Sequence, residues 1–150
     1  MNEPQRHIKE LTDRSEIIDL LYRLGAVLDE KRSEDLRTIY TDRAVFEFSN
    51  NPDIGDLEAA VDNAKKMGEH FARTHHVMTN PIVDINGDNA TVRANLIATH
   101  VYRDDKPGAH FDAGMVYHFM AVRTAQGWRF SHVKLERIWS NGRWDGPRSD

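Results

Sequence analysis

Apolar positions in the first half of the chain recur every three or four residues, and from about His76 onward they recur every second residue. The change of period divides the chain into a helical part and a strand-forming part. Ile17, Ile18, Leu21, Leu24 and Leu28 define a helix over Ser15–Glu30. A second is expected over residues 33–42, with Ser33 as N-cap, Glu34 and Asp35 in the first turn, and Leu36, Ile39 and Tyr40 as its apolar face. Ala44–Ser49 alternates and reads as a short strand, followed by a loop from Asn50 to Gly55. A third helix over Asp56–Ala72 carries Leu57, Ala60, Val61, Ala64 and Phe71 on one side, with Asp56 as cap.

The period-two part predicts four strands: His76–Ile85, edged or interrupted at Pro81; Ala90–Asp104; His110–Thr124; and Trp128–Trp139. Asn86–Asn89 is expected to turn as a type I′ hairpin, and Asp105–Gly108 and Ala125–Gly127 supply the other turns. Residues 140–150 read as a loose Gly/Pro-rich tail. Helices followed by long antiparallel strands imply one α+β domain over residues 1–150. Three helices of the N-terminal half would close a curved sheet into a cone around a cavity, the usual place for a ligand.

Composition narrows the chemistry. A formal charge of −4, with the short basic runs Lys31–Arg32 and Lys65–Lys66 set among acids, argues against a nucleic-acid surface. No apolar run approaches the ~20 residues of a membrane span, and no apolar signal core opens the sequence, so the expectation is a cytoplasmic protein. The absence of cysteine removes disulfides, thiolate metal sites and a Cys nucleophile. Phosphate-binding glycine loops, GxSxG and HExxH are absent too. No metal and no cofactor are expected.

Three polar positions interrupt apolar rows. Ala90, Val92, Ala94, Leu96 and Ala98 share one face of their strand, and His100 and Tyr102 extend it. His100 is then either a core histidine bonded to a backbone carbonyl or a group at a cavity wall. Asp29 continues the row Ile18, Leu21, Tyr22 and Gly25, and would need a partner if buried, though the charged turn that follows could equally face it to water. His75 and His76 are strand neighbours, so they point to opposite faces and do not share a metal. By parity, Met78 and Ile82 go with His76, and Val77 and Val83 with His75.

Four stretches in order, "LYRLGAVLDEKRSEDLRTIYTDRAVFEF", "THHVMTN", "DINGDNATVRANLIATHVY" and "VRTAQGWRFSHVKLERIW", cover Ser15 to Trp139. Together they resemble the nuclear-transport-factor-2-like (NTF2-like) cone fold, and within it the SnoaL-like and scytalone dehydratase-like group. The resemblance implies that Asp29, His76 and His100 occupy that group's catalytic positions. Asp29 and His76 also match the dyad of the related hexachlorocyclohexane dehydrochlorinase. The implied activity is a cofactor-free dehydratase, lyase or isomerase acting on an apolar small molecule such as a hydroxy-ketone, aromatic or polycyclic compound. Leu21, Tyr22, Phe48, Phe71, Leu96, Tyr102 and Val116 are the expected substrate-binding wall. The group's water-holding tyrosines and its asparagine are replaced by Leu28, Phe48 and, roughly, Val116, so scytalone itself is not the expected substrate. The alternatives are a non-catalytic ligand-binding or scaffold protein and a ring-hydroxylating dioxygenase small subunit. A homo-oligomer, trimer or dimer, is expected through the outer face of the sheet.

Overall fold

The computed structural model describes residues 1–48 and 51–147. Its elements are α1 (Glu3–Asp29), a 3-10 helix (Ser33–Thr38), β1 (Tyr40–Phe48), β2 (Asn51–Gly55), α2 (Leu57–His70), β3 (Arg73–Asn86), β4 (Asn89–Val101), β5 (His110–Thr124) and β6 (Gly127–Asn141). Among the described residues the strands form one sheet in the order β2-β1-β6-β5-β4-β3. Every neighbouring pair is antiparallel except β1 and β6, which run parallel. The helices cover the inner face, giving the expected α+β arrangement.

α1 begins twelve residues earlier than its apolar period predicts. Asn2 and Gln5 form a reciprocal capping box, and Pro4 lies in the first turn. The early turns lack an apolar stripe because a charged group anchors them. Asp13 is buried and receives two 2.7 Å hydrogen bonds from Arg123, one from Lys9 and one from the Trp128 indole. At the other end Lys31 takes a left-handed conformation (φ 57°) and stops the helix just after Asp29.

The predicted second helix is a 3-10 turn capped at Arg32 rather than Ser33, and Tyr40 already belongs to β1. Ile39 and Tyr40 are buried as expected, but as an entry into the sheet. Residues 51–55, expected in a loop, pair as β2, whereas Ser49 and Asn50 lie outside the described residues. α2 has the predicted cap, the Asp56 carboxylate accepting from the Ala59 N–H. At the β3–β4 hairpin only Gly87 has positive φ (64°), as in a type II′ turn, not the I′ turn expected.

Ile17, Leu21 and Leu24 of α1 pack on Val92, Phe119, Phe130 and Val133 from the inner sheet face. The β3 register shifts between Thr79 and Ile82, where Asn80 is left-handed (φ 55°) and Pro81 cannot donate. The bulge reverses the expected parity beyond it: Val83 is buried and Ile82 is exposed. Residues 142–147, expected to be loose, fold back onto the end of β4 and β5; residues 148–150 lie outside the described residues.

Candidate functional site

Asp29 is the last residue of α1, and His76 is the fourth residue of β3. Gly25 lets the helix approach the strand, since a Cβ there would already lie 3.4 Å from the His76 carbonyl oxygen. One turn later the Asp29 carboxylate meets β3. It lies 2.6 Å from His76 Nδ1 and accepts the His76 backbone N–H at 2.9 and 3.1 Å and the Thr74 hydroxyl at 3.0 Å. Burial raises the carboxyl pKa, but the hydrogen bonds from His76 and Thr74 outweigh it and hold Asp29 below its ordinary value. The anionic acceptor requires a proton on Nδ1, so neutral His76 presents its lone pair at Nε2. The two side chains are 11% and 22% exposed for His76 and Asp29, so the pair is sheltered. His75 is exposed on the other face of β3, as strand parity requires.

His100, 5% exposed, stands beside the pair, its ring 5.9 Å from that of His76 and nearly perpendicular to it. Its Nδ1 lies 3.4 Å from the Phe111 carbonyl oxygen, so Nδ1 carries the donated proton and Nε2 is left as an acceptor. Burial, reinforced by the neighbouring His76, pushes its pKa down to about 4. Both expected readings therefore meet in one residue, a histidine bonded to a backbone carbonyl and standing at the dyad. It is neutral near pH 7.

The register sets the neighbours of His76. His76 pairs with Ala98, Ala98 with Ala113, and Ala113 with Ser140, so small side chains on three strands continue its row, and both alanines are buried. The next row inward holds Met78, Leu96 and Met115, and the row on the other side holds His100 and Phe111. The alanine row thus lies between a thioether-and-leucine row and an aromatic row, beside the dyad.

The predicted wall is only partly assembled there. Leu96 and Phe71 are buried on the inner side, and Leu21 is fully buried in the core. Phe48 lies at the end of β1 and is 36% exposed. Val116 is a correction: it pairs with Asn95 and Glu136 on the outer face, and its neighbour Met115 takes the inward position opposite Leu96. Tyr22 is another, because it is 51% exposed on α1, outside the buried row of Leu21, Leu24 and Gly25. Tyr102 contacts Phe71, but its hydroxyl is engaged by the C-terminal segment. Sequence reasoning missed Met115, whose inward position needed the β5 register. The Trp144 ring lies against Phe71, His100 and Phe111. Among the described residues no group of three or more His, Cys, Asp or Glu side chains could hold a metal ion, and no helix is long and apolar enough to cross a membrane.

The fold and site place the chain in a known class. The SnoaL-like domain family matches residues 9–134, and the protein belongs to that family. Among solved structures, Kfla4162 from Kribbella flavida is 31% identical with a TM-score of 0.80, over 88% of this chain and 95% of that one. A candidate scytalone dehydratase from Novosphingobium aromaticivorans is 19% identical, with a TM-score of 0.81 and 90% of each chain covered. A type 2 hexachlorocyclohexane dehydrochlorinase (LinA) is 18% identical, with a TM-score of 0.77 over 96% of this chain and 97% of that one. At such identities the last two show a shared fold.

Proposed function

We propose that the protein is a cofactor-free lyase, a dehydratase of small apolar β-hydroxy ketones, working through the Asp29–His76 pair. The observation that carries this reading is the 2.6 Å contact of Asp29 with His76 Nδ1 beside the alanine row. His76 Nε2 removes a proton from the carbon next to the carbonyl. Asp29 holds the ring's tautomer and stabilises the imidazolium that forms. His100 Nε2 accepts a hydrogen bond from the substrate's hydroxyl and aims it at His76. The imidazolium then returns its proton to that hydroxyl, the C–O bond breaks, and water leaves with an unsaturated ketone. No net proton and no electron are exchanged with the medium. The fold shared with a candidate scytalone dehydratase and with a dehydrochlorinase supports an elimination at this site.

3-Hydroxy-1-tetralone tests the reading, because loss of the C2 proton and the C3 hydroxyl yields, after tautomerisation, fluorescent 1-naphthol. Wild-type protein is expected to release 1-naphthol above the buffer rate. His76→Ala and Asp29→Asn should each lower that rate by about 10²–10⁴-fold, the usual contribution of general acid–base catalysis. Full turnover by both variants, or none by the wild type on this and related hydroxy-ketones, sinks the proposal.

Self-association belongs to the same reading. Val77, Ile97, Met120 and Trp139 are exposed on the outer sheet face, away from the dyad. An apolar strip of this kind fits a second copy of the chain, in a trimer or dimer.

A further inference from the structure

Asp29 carries the wrong charge for its place in the fold. It ends α1, where the helix dipole disfavours an anion, and no basic residue stands in the last turn to offset it. Its carboxylate is held instead from one strand, by Thr74 and His76. Oδ1 is shared: it meets the His76 ring at 2.6 Å, the Thr74 hydroxyl at 3.0 Å and the His76 N–H at 3.1 Å. Oδ2 takes the same N–H at 2.9 Å. Among the described residues, Thr74 is the one side chain outside the dyad that bonds this carboxylate. It pairs with His100 across β4, on the face of β3 that carries His76. A second tie brings the start of β3 to this height. The Lys31 ammonium donates to the Phe71 carbonyl oxygen at 3.0 Å, at the end of α2, where a cation is favoured. Its stem lies over Gly68, where a Cβ would sit 3.4 Å from the Lys31 Cγ.

We propose that Thr74 is a positioning residue of the dyad, its hydroxyl fixing the plane of the Asp29 carboxylate toward His76 Nδ1. This rests on the reading of Asp29 and His76 as an acid–base pair. A carboxylate held only by the ring and one backbone N–H can still swing about its Cβ–Cγ bond. A second side-chain donor on the shared oxygen stops that swing and keeps the acceptor in line with the Nδ1–H. It also favours the ionised carboxylate, the acceptor-only form that demands a proton on Nδ1. Thr74 therefore acts through His76 and not on the substrate. A ring with one tautomer always offers its lone pair at Nε2, whereas a ring with two offers it part of the time.

Thr74→Val keeps the branched shape and removes the hydroxyl, whereas Thr74→Ser keeps the hydroxyl and removes the methyl group. Thr74→Ala is a second hydroxyl-free variant of smaller size. ¹⁵N NMR of the ligand-free protein reads the His76 tautomer, and ¹³C NMR reads the titration of the Asp29 carboxyl. Wild type should show the single Nδ1–H form. Thr74→Val and Thr74→Ala should show both tautomers and an Asp29 titration moved up toward the ordinary carboxylate range. Their kcat for hydroxy-ketones should fall roughly tenfold with KM little changed, the scale of one hydrogen bond to a charged group. Thr74→Ser should match wild type in every readout. Unchanged ring and carboxyl signals in the hydroxyl-free variants overturn the proposal. Equal losses in Thr74→Val and Thr74→Ser overturn it too, because they assign the effect to packing of the methyl group. If the signals move as expected but His76→Ala still turns over hydroxy-ketones normally, the acid–base mechanism falls and the positioning role stands.

Discussion

His100 and Asp29 carry opposite consequences of burial. His100 is kept neutral, whereas Asp29 is kept charged because His76 and Thr74 donate to it. Unfolding returns the His100 imidazole to its ordinary pKa of 6.5, so between that value and about 4 the unfolded chain binds a proton that the fold excludes. Stability should therefore rise with pH across this window, by up to roughly 3 kcal/mol. Below it the slope from His100 fades, and protonation of Asp29 takes over. Urea midpoints measured from pH 4 to 7 should show the first slope in wild type and lose it in His100→Phe. At Asp29 the decisive feature is its acceptor-only carboxylate. Asp29→Asn places an NH₂ donor against N–H donors, so ¹⁵N NMR of the His76 ring should show loss of the Nδ1–H tautomer along with the loss of turnover. Strand parity alone legibly put His100 on the buried face and separated His75 from His76. It did not say which of the two histidines looks inward, because both faces of β3 carry apolar residues.

At the scale of elements, the approach of α1 to β3 makes the site. Gly25→Val would press on the His76 carbonyl and Met78, pushing the helix end away from the strand. Turnover should fall while far-ultraviolet circular dichroism stays helical. The far end of α1 is pinned by Asp13 to β5 and β6 through Arg123 and Trp128, with Arg123 also lying over the Trp128 ring at 4.6 Å. Asp13→Ala removes the main partner of a guanidinium that keeps Asp88, and should cost about 1.5–3 kcal/mol, measurable by urea denaturation. This anchor was not legible in the apolar pattern, since a salt bridge between residues 110 positions apart leaves no periodic trace.

For the whole molecule, the two faces of the sheet have different duties. The inner face holds the core and the dyad. The outer face leaves Ile97 and Met120 about half exposed. If copies associate through it, light scattering after size exclusion should give a trimer or dimer for wild type. Ile97→Asp should shift the mass toward a single chain with little effect on the dyad, whose side chains point the other way. A monomeric wild type would refute this assembly.

Local pattern by itself determined the order of the two long helices and of every strand but β2, the inward row that includes His100, and the cap at Asp56. These depend on period and on nearest-neighbour hydrogen bonds, and both are written along the chain. Tertiary structure decided the rest. The Asn80–Pro81 bulge reversed Ile82 and Val83, and the β5 register exchanged Val116 for Met115. The approach at Gly25 joined Asp29 to His76 across 47 positions, and the Tyr102 hydroxyl folded Trp144 onto His100. Each depends on where a distant backbone lies. A one-residue shift in register reverses a side chain's face, and a contact between distant segments exists only after the fold has closed the loop between them.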